Sequence, residues 1–99
     1  MSTGTTISSE GLSERRRRLL FRCWHRGIRE MDLIMGRYVE SVIADLGEAD
    51  LATLETLIEI EDRDLFAWIT EDRPVPPEHD TPVFRAMKAF HTHDKPIDL

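Results

Sequence analysis

A single cysteine, Cys23, stands in the 99-residue chain. One thiol excludes an internal disulfide and suits a reducing compartment. Long apolar runs are missing as well. No stretch approaches the roughly 20 apolar residues that a membrane helix needs, so no membrane insertion is expected. The segment Met1 to Leu12 is polar, rich in Thr and Ser, and lacks the apolar core of a secretory signal. Glu10 and Glu14 fit a mitochondrial transit peptide poorly. No segment shows the strict apolar–polar alternation of a half-buried strand, and there is no internal repeat or low-complexity run.

Catalytic signatures are equally scarce. There is no glycine-rich phosphate loop and no Ser-centred nucleophile elbow. Cys23, His25, His79, His91 and His93 are metal-competent types. The pairs Cys23/His25 and His91/His93, each two residues apart, match neither usual zinc spacing. A buried thiol and surface histidines are the simpler expectation. A Cys23–His25 catalytic pair fails on geometry, because residues two apart on one helix face different ways. The sequence therefore predicts no enzyme, no metal and no cofactor of its own.

What is present is a helical pattern. An apolar content of 40% suits a globule rather than a disordered tail. Ser13 is placed to cap a first helix, whose apolar side draws on Leu19, Leu20, Phe21, Cys23 and Trp24. Gly27 interrupts that run and reads as its C′ residue. A second helix is expected over about residues 28–46. Met31, Ile34, Met35, Tyr38, Val42 and Leu46 recur at spacings of three and four, and Leu33, Val39 and Ile43 widen the stripe. Gly47 closes it. A third helix follows at about residues 50–59, with Leu51, Leu54, Leu57 and Ile58 inward. A fourth holds Asp62 to Ile69. Pro74, Pro76 and Pro77 mark an extended crossover. Thr81 and Pro82 open a fifth helix carrying Val83, Phe84, Met87 and Phe90. The predicted fold is an all-α, small five-helix bundle over residues 13–92, between flexible tails at 1–12 and 93–99.

The net charge of −6 is unevenly placed. Residues 1–40 hold eight Arg against five acids, and the acidic excess lies entirely in residues 41–99. A molecule of two signs is suited to orienting on a protein partner. The run Arg15-Arg16-Arg17-Arg18 admits another reading, a small helical regulatory or nucleic-acid-binding protein, which the acidic half opposes.

The group Arg26-Gly27-x-x-Glu30 falls at the corner between the first two helices. Arg26 in the last turn of one helix and Glu30 in the first turn of the next would both suit the helix dipoles, so an ordinary stabilised corner accounts for them. However, the stretch Phe21 to Leu33 resembles the signature of the succinate dehydrogenase FAD assembly factors, the SdhE family of bacteria and its mitochondrial counterparts. Their R-G-x-x-E followed by L/M-D is here Arg26, Gly27, Glu30, Met31 and Asp32. A second block, Glu61 to Ile69, resembles the family's D-x-D-L-[FW]-x-W-[LI]. The resemblance covers roughly residues 15–92, and the Arg-rich N-terminal extension departs from it.

The resemblance implies binding to the flavoprotein subunit of succinate dehydrogenase, and in some members to that of fumarate reductase. It implies help with covalent attachment of FAD (flavinylation) to a histidine of that subunit. The FAD and the attacking histidine both belong to the partner. Partner-binding residues carried over are Arg26, Gly27, Arg29, Glu30 and Asp32. Asp64, Leu65 and Trp68 of the second block are expected to be structural, and a bacterial cytoplasmic location is expected.

Overall fold

The computed structural model describes residues 11–91. The expected tails fall almost wholly outside this range. Gly11 and Leu12 are within it, and Leu12 packs against the core. Five α-helices follow in order: α1 (Glu14–Trp24), α2 (Arg29–Val42), α3 (Glu48–Leu57), α4 (Asp62–Ile69) and α5 (Pro82–Ala89). A short 3₁₀ turn, Pro77–His79, precedes α5. The fold is an all-α small bundle, with no strand among the described residues.

Local chemistry sets several helix ends. The Ser13 hydroxyl accepts the Arg16 N–H, and the Thr81 hydroxyl accepts the Phe84 N–H with Pro82 just inside α5. Each cap satisfies an orphan donor of a first turn. Other ends differ from expectation. Helix α1 stops at Trp24, capped by His25, so Arg26 lies outside it rather than in its last turn. A continuing helix would pair the Arg26 N–H with the Arg22 carbonyl, but the Asp32 carboxylate accepts it instead. Helix α2 stops at Val42, short of residue 46. There Arg16 donates to the Ile43 carbonyl, the acceptor that another helical turn would use. Gly47 then serves as the N-cap of α3, which starts at Glu48.

The core gathers Leu19, Leu20 and Cys23 from α1 with Met31, Ile34, Met35, Tyr38 and Val39 from α2. Leucines 51, 54 and 57 of α3 join them, as do Leu65 and Trp68 of α4 and Val83, Phe84 and Met87 of α5. Helix α2 buries the most residues, in keeping with its wide stripe. Gly36, also on α2, is where Trp24 of α1 lies against it. A Cβ there would stand 2.4 Å from the Trp24 ring, so only glycine lets the indole lie against the helix. Two expectations fail. Phe21 points outward at 62% exposure, and His91 is buried with its Nε2 against the Ile34 carbonyl. Burial pushes the Cys23 thiol up to about 12, leaving it neutral and inert.

Candidate functional site

The corner between α1 and α2 is built around Arg26. Its guanidinium turns inward, with only 8% of the side chain exposed. Nε donates to Asp62 Oδ1 at 2.7 Å, and the two terminal nitrogens donate to the carbonyls of Ile58 and Ile60. Those carbonyls lie just beyond α3, where helical acceptors are left without partners. A cation there also meets the negative end of α3, and Asp62 sits at the positive end of α4. A planar fork reaches several acceptors at once, which an ammonium would not do. Removing it would strand a half-buried carboxylate and two carbonyls, at about 1–3 kcal/mol for each buried group left unsatisfied.

Through this fork the two sequence blocks meet. Arg26 belongs to the first and Asp62 to the second, 36 residues away. Asp32 completes the brace from the other side by holding the Arg26 N–H. Of the five residues singled out in the sequence, Arg26 and Asp32 are therefore bound within the chain. Gly27, Arg29 and Glu30 form the outer part. Gly27 is exposed with φ +122°, backbone that favours glycine, and an added Cβ would meet nothing closer than Asp62 Oδ2 at 3.9 Å. Arg29 is exposed and Glu30 half-buried, and neither side chain has a hydrogen bond or ion pair among the described residues.

The sequence did not single out the apolar part of this corner. Phe21 at 62% and Ile28 at 43% are the exposed large hydrophobic residues among those described; Ile28 follows Gly27, and Phe21 lies on the last turns of α1. The Phe21 ring stacks on His25 with centroids 4.0 Å apart, and His25 Nδ1 lies 2.8 Å from the Phe21 carbonyl oxygen. Beside the corner opens a cleft of about 270 Å³ lined by Arg22, His25, Arg26, Ile58, Ile60, Glu61 and Asp62. The exposed phenyl carried no pattern signal, because position 21 fits the apolar run of α1. Asp62 was legible as part of the second block, but its partner was not.

Asp64, Leu65 and Trp68 of the second block are structural, as expected. Leu65 and Trp68 are buried, with the indole stacked on His79 at 5.5 Å and edge-on to Phe84. Asp64 pairs with Arg73 at 2.6 Å. The N-terminal arginine run is also largely paired inside the molecule. Arg15 bridges Glu48 and Glu55 of α3, Arg22 reaches Glu59, and Arg18 reaches Glu14. Hydrogen bonding to Arg15 lowers the Glu55 carboxyl below its ordinary range. Among the described residues, no three His, Cys, Asp or Glu side chains converge on a metal-sized site. Nor is any helix among them long and apolar enough to cross a membrane.

Comparison with known proteins agrees with this arrangement. A family described as "flavinator of succinate dehydrogenase" matches residues 17–91, a span that includes both blocks. The FAD assembly factor SdhE of Acetobacter pasteurianus is 35% identical over 86 residues, covering 87% of this chain and 79% of that protein. The mitochondrial succinate dehydrogenase assembly factor 2 of Drosophila virilis is 36% identical over 81 residues, 80% of this chain and 51% of its own length. The 2-B form from Drosophila melanogaster is 35% identical over 89 residues, 87% of this chain and 57% of its own length. The chain thus spans little more than half of these insect relatives. With the match covering both motif blocks and all five helices except the first three residues of α1, the chain belongs to the family of succinate dehydrogenase flavinators.

Proposed function

We infer that this protein is a non-catalytic assembly factor. It docks on the flavoprotein subunit of succinate dehydrogenase and promotes covalent attachment of FAD to a histidine of that subunit. The observation that carries this reading is the start of α2, which breaks two local rules beside a glycine corner. Its N-cap is Ile28, an exposed apolar residue with no capping bond. Its first residue is Arg29, a cation at the positive end of a helix, without a partner among the described residues. Before it stands Gly27 in backbone closed to most side chains. The turn of the chain explains Gly27, but helix stability explains neither Ile28 nor Arg29, and such breaks are expected where a surface is kept for a partner.

The docking residues are then Gly27, Arg29 and Glu30, with Arg26 and Asp32 bracing them from behind. Phe21 and Ile28 supply the apolar anchors that protein interfaces usually place at their centre. Gly27 lets the partner backbone approach closely, and Arg29 and Glu30 offer charge-assisted hydrogen bonds around that approach. The factor would hold the partner where flavin and histidine sit in near-attack geometry. FAD and the nucleophile stay with the partner, so this chain needs no cofactor and no catalytic group. It would work in the bacterial cytoplasm, with the fumarate reductase flavoprotein as a possible second client.

The test is a pull-down of purified succinate dehydrogenase flavoprotein subunit. Wild-type chain should retain the subunit, and Gly27→Arg, which adds bulk at the corner, should not. Equal retention by both would remove Gly27 from the docking surface. Retention by neither would count against the assembly-factor reading itself. The nucleic-acid alternative predicts salt-dependent retention of duplex DNA instead. The internal pairing of Arg15, Arg18 and Arg22 favours the protein-docking reading.

A further inference from the structure

We propose that Arg26 is a positioning residue whose donors are held inside the chain rather than offered to the partner. It fixes the segment between α3 and α4 as the second wall of the docking face. The inference rests on the docking role of the Gly27 corner. Three observations place Arg26 in this role. Its donors are turned away from solvent onto Asp62, Ile58 and Ile60, all in or beside that segment. Ile58 and Ile60 rest on the core and Arg22 reaches Glu59, but Glu61, the N-cap of α4, makes no side-chain capping bond, and Arg26 is the side chain that ties the Ile58 and Ile60 carbonyls to Asp62. The cleft of about 270 Å³ is lined by Arg22, His25 and Arg26 of the α1–α2 corner together with Ile58, Ile60, Glu61 and Asp62 of the α3–α4 segment.

The docking face is then two-sided. One wall is the α1–α2 corner, which gives Arg22, His25 and Arg26 to the cleft, and the other is residues 58–62. A side chain of the flavoprotein subunit enters the cleft between them. Arg26 sets the spacing of the walls because its planar fork reaches three acceptors in a fixed geometry. An ammonium at the same place keeps the charge but cannot hold all three. Arg26→Lys therefore separates the two ways this residue could act. A cation facing the partner tolerates lysine, whereas a spacer does not.

The experiment measures affinity for the purified flavoprotein subunit with FAD present, using wild-type chain, Arg26→Lys, Asp62→Asn and the double variant. Amide hydrogen exchange of the same proteins is followed in parallel. Arg26→Lys and Asp62→Asn should each weaken binding by about tenfold or more, and the double variant should be within about threefold of the weaker single, since both act through one contact. Amides of residues 59–62 should exchange faster while those of the α2 core stay protected. Asp62→Asn keeps an oxygen facing Arg26 and carries the test if the lysine variant does not fold. Wild-type affinity in Arg26→Lys, losses that multiply in the double variant, or unchanged exchange at 59–62 would overturn the proposal. Failure of wild type to bind the subunit would sink the docking reading as well, a different result from any of these.

Discussion

Gly27 and Glu30 separate structure from docking at the level of single residues. Gly27 has room for a methyl group but not the backbone for one, since its φ of +122° is rarely adopted by other residues. Gly27→Ala should cost about 1–3 kcal/mol in stability, read as a lower urea midpoint, while the protein still folds. Glu30 loses only a favourable dipole interaction when truncated, because its carboxylate bonds nothing among the described residues. Glu30→Ala should thus change stability by no more than about 1 kcal/mol and yet impair flavinylation. Unfolding of that variant in circular dichroism would instead favour the stabilised-corner reading. Sequence placed Glu30 in the first turn of α2 and Gly27 between two helices, because both are local signals, but Gly27 lies one residue beyond the C′ place expected of it, since His25 caps α1. It did not place Arg26. The carbonyls of Ile58 and Ile60 that turn its guanidinium inward look the same in a sequence whatever they bind.

Between elements, the decisive contact is that of α1 with α2. Trp24 lies where any side chain at position 36 would stand, so Gly36→Ala must push the two helices apart. A loss of about 1–3 kcal/mol, with a change in tryptophan fluorescence, is expected. An unchanged melting temperature would show that the packing is looser than described. Helices α1 and α3 are joined by charge as well. Because the Glu55 carboxyl is lowered in the fold by Arg15, the pair's contribution is present above the ordinary carboxylate range. It is lost as pH falls through the depressed value. Arg15→Ala should accordingly melt lower than wild type near neutral pH and approach it in acid. High salt should narrow the gap too, since the pair is exposed. The periodicity of α2 and the caps of α1 and α5 were readable before the structure. The early ends of α1 and α2 were not, since each depends on a side chain arriving from elsewhere, Asp32 at one and Arg16 at the other.

For the whole molecule, the uneven charge seen in the sequence is folded largely onto itself. Acids of the C-terminal part neutralise arginines of the N-terminal part along α1 and α3, while among the described residues Arg29 at the corner and Arg37 of α2 have no ion pair. The surface offered to a partner is then apolar and glycine-centred rather than broadly basic. The thiol at Cys23 should report on the intact fold. Pushed up to about 12 by burial, it should react with a thiol reagent at pH 8 only as the protein unfolds. Rapid labelling of the folded chain would contradict the described core. The central claim concerns the helix–glycine–helix corner as a docking surface for flavin attachment. Its most direct test is covalent flavin in the succinate dehydrogenase flavoprotein, read by in-gel fluorescence in cells lacking the gene. These cells are compared with others complemented by wild type or by Gly27→Arg. The account predicts loss of fluorescence on deletion, recovery with wild type and no recovery with the arginine variant. Undiminished fluorescence in the deletion strain would contradict it.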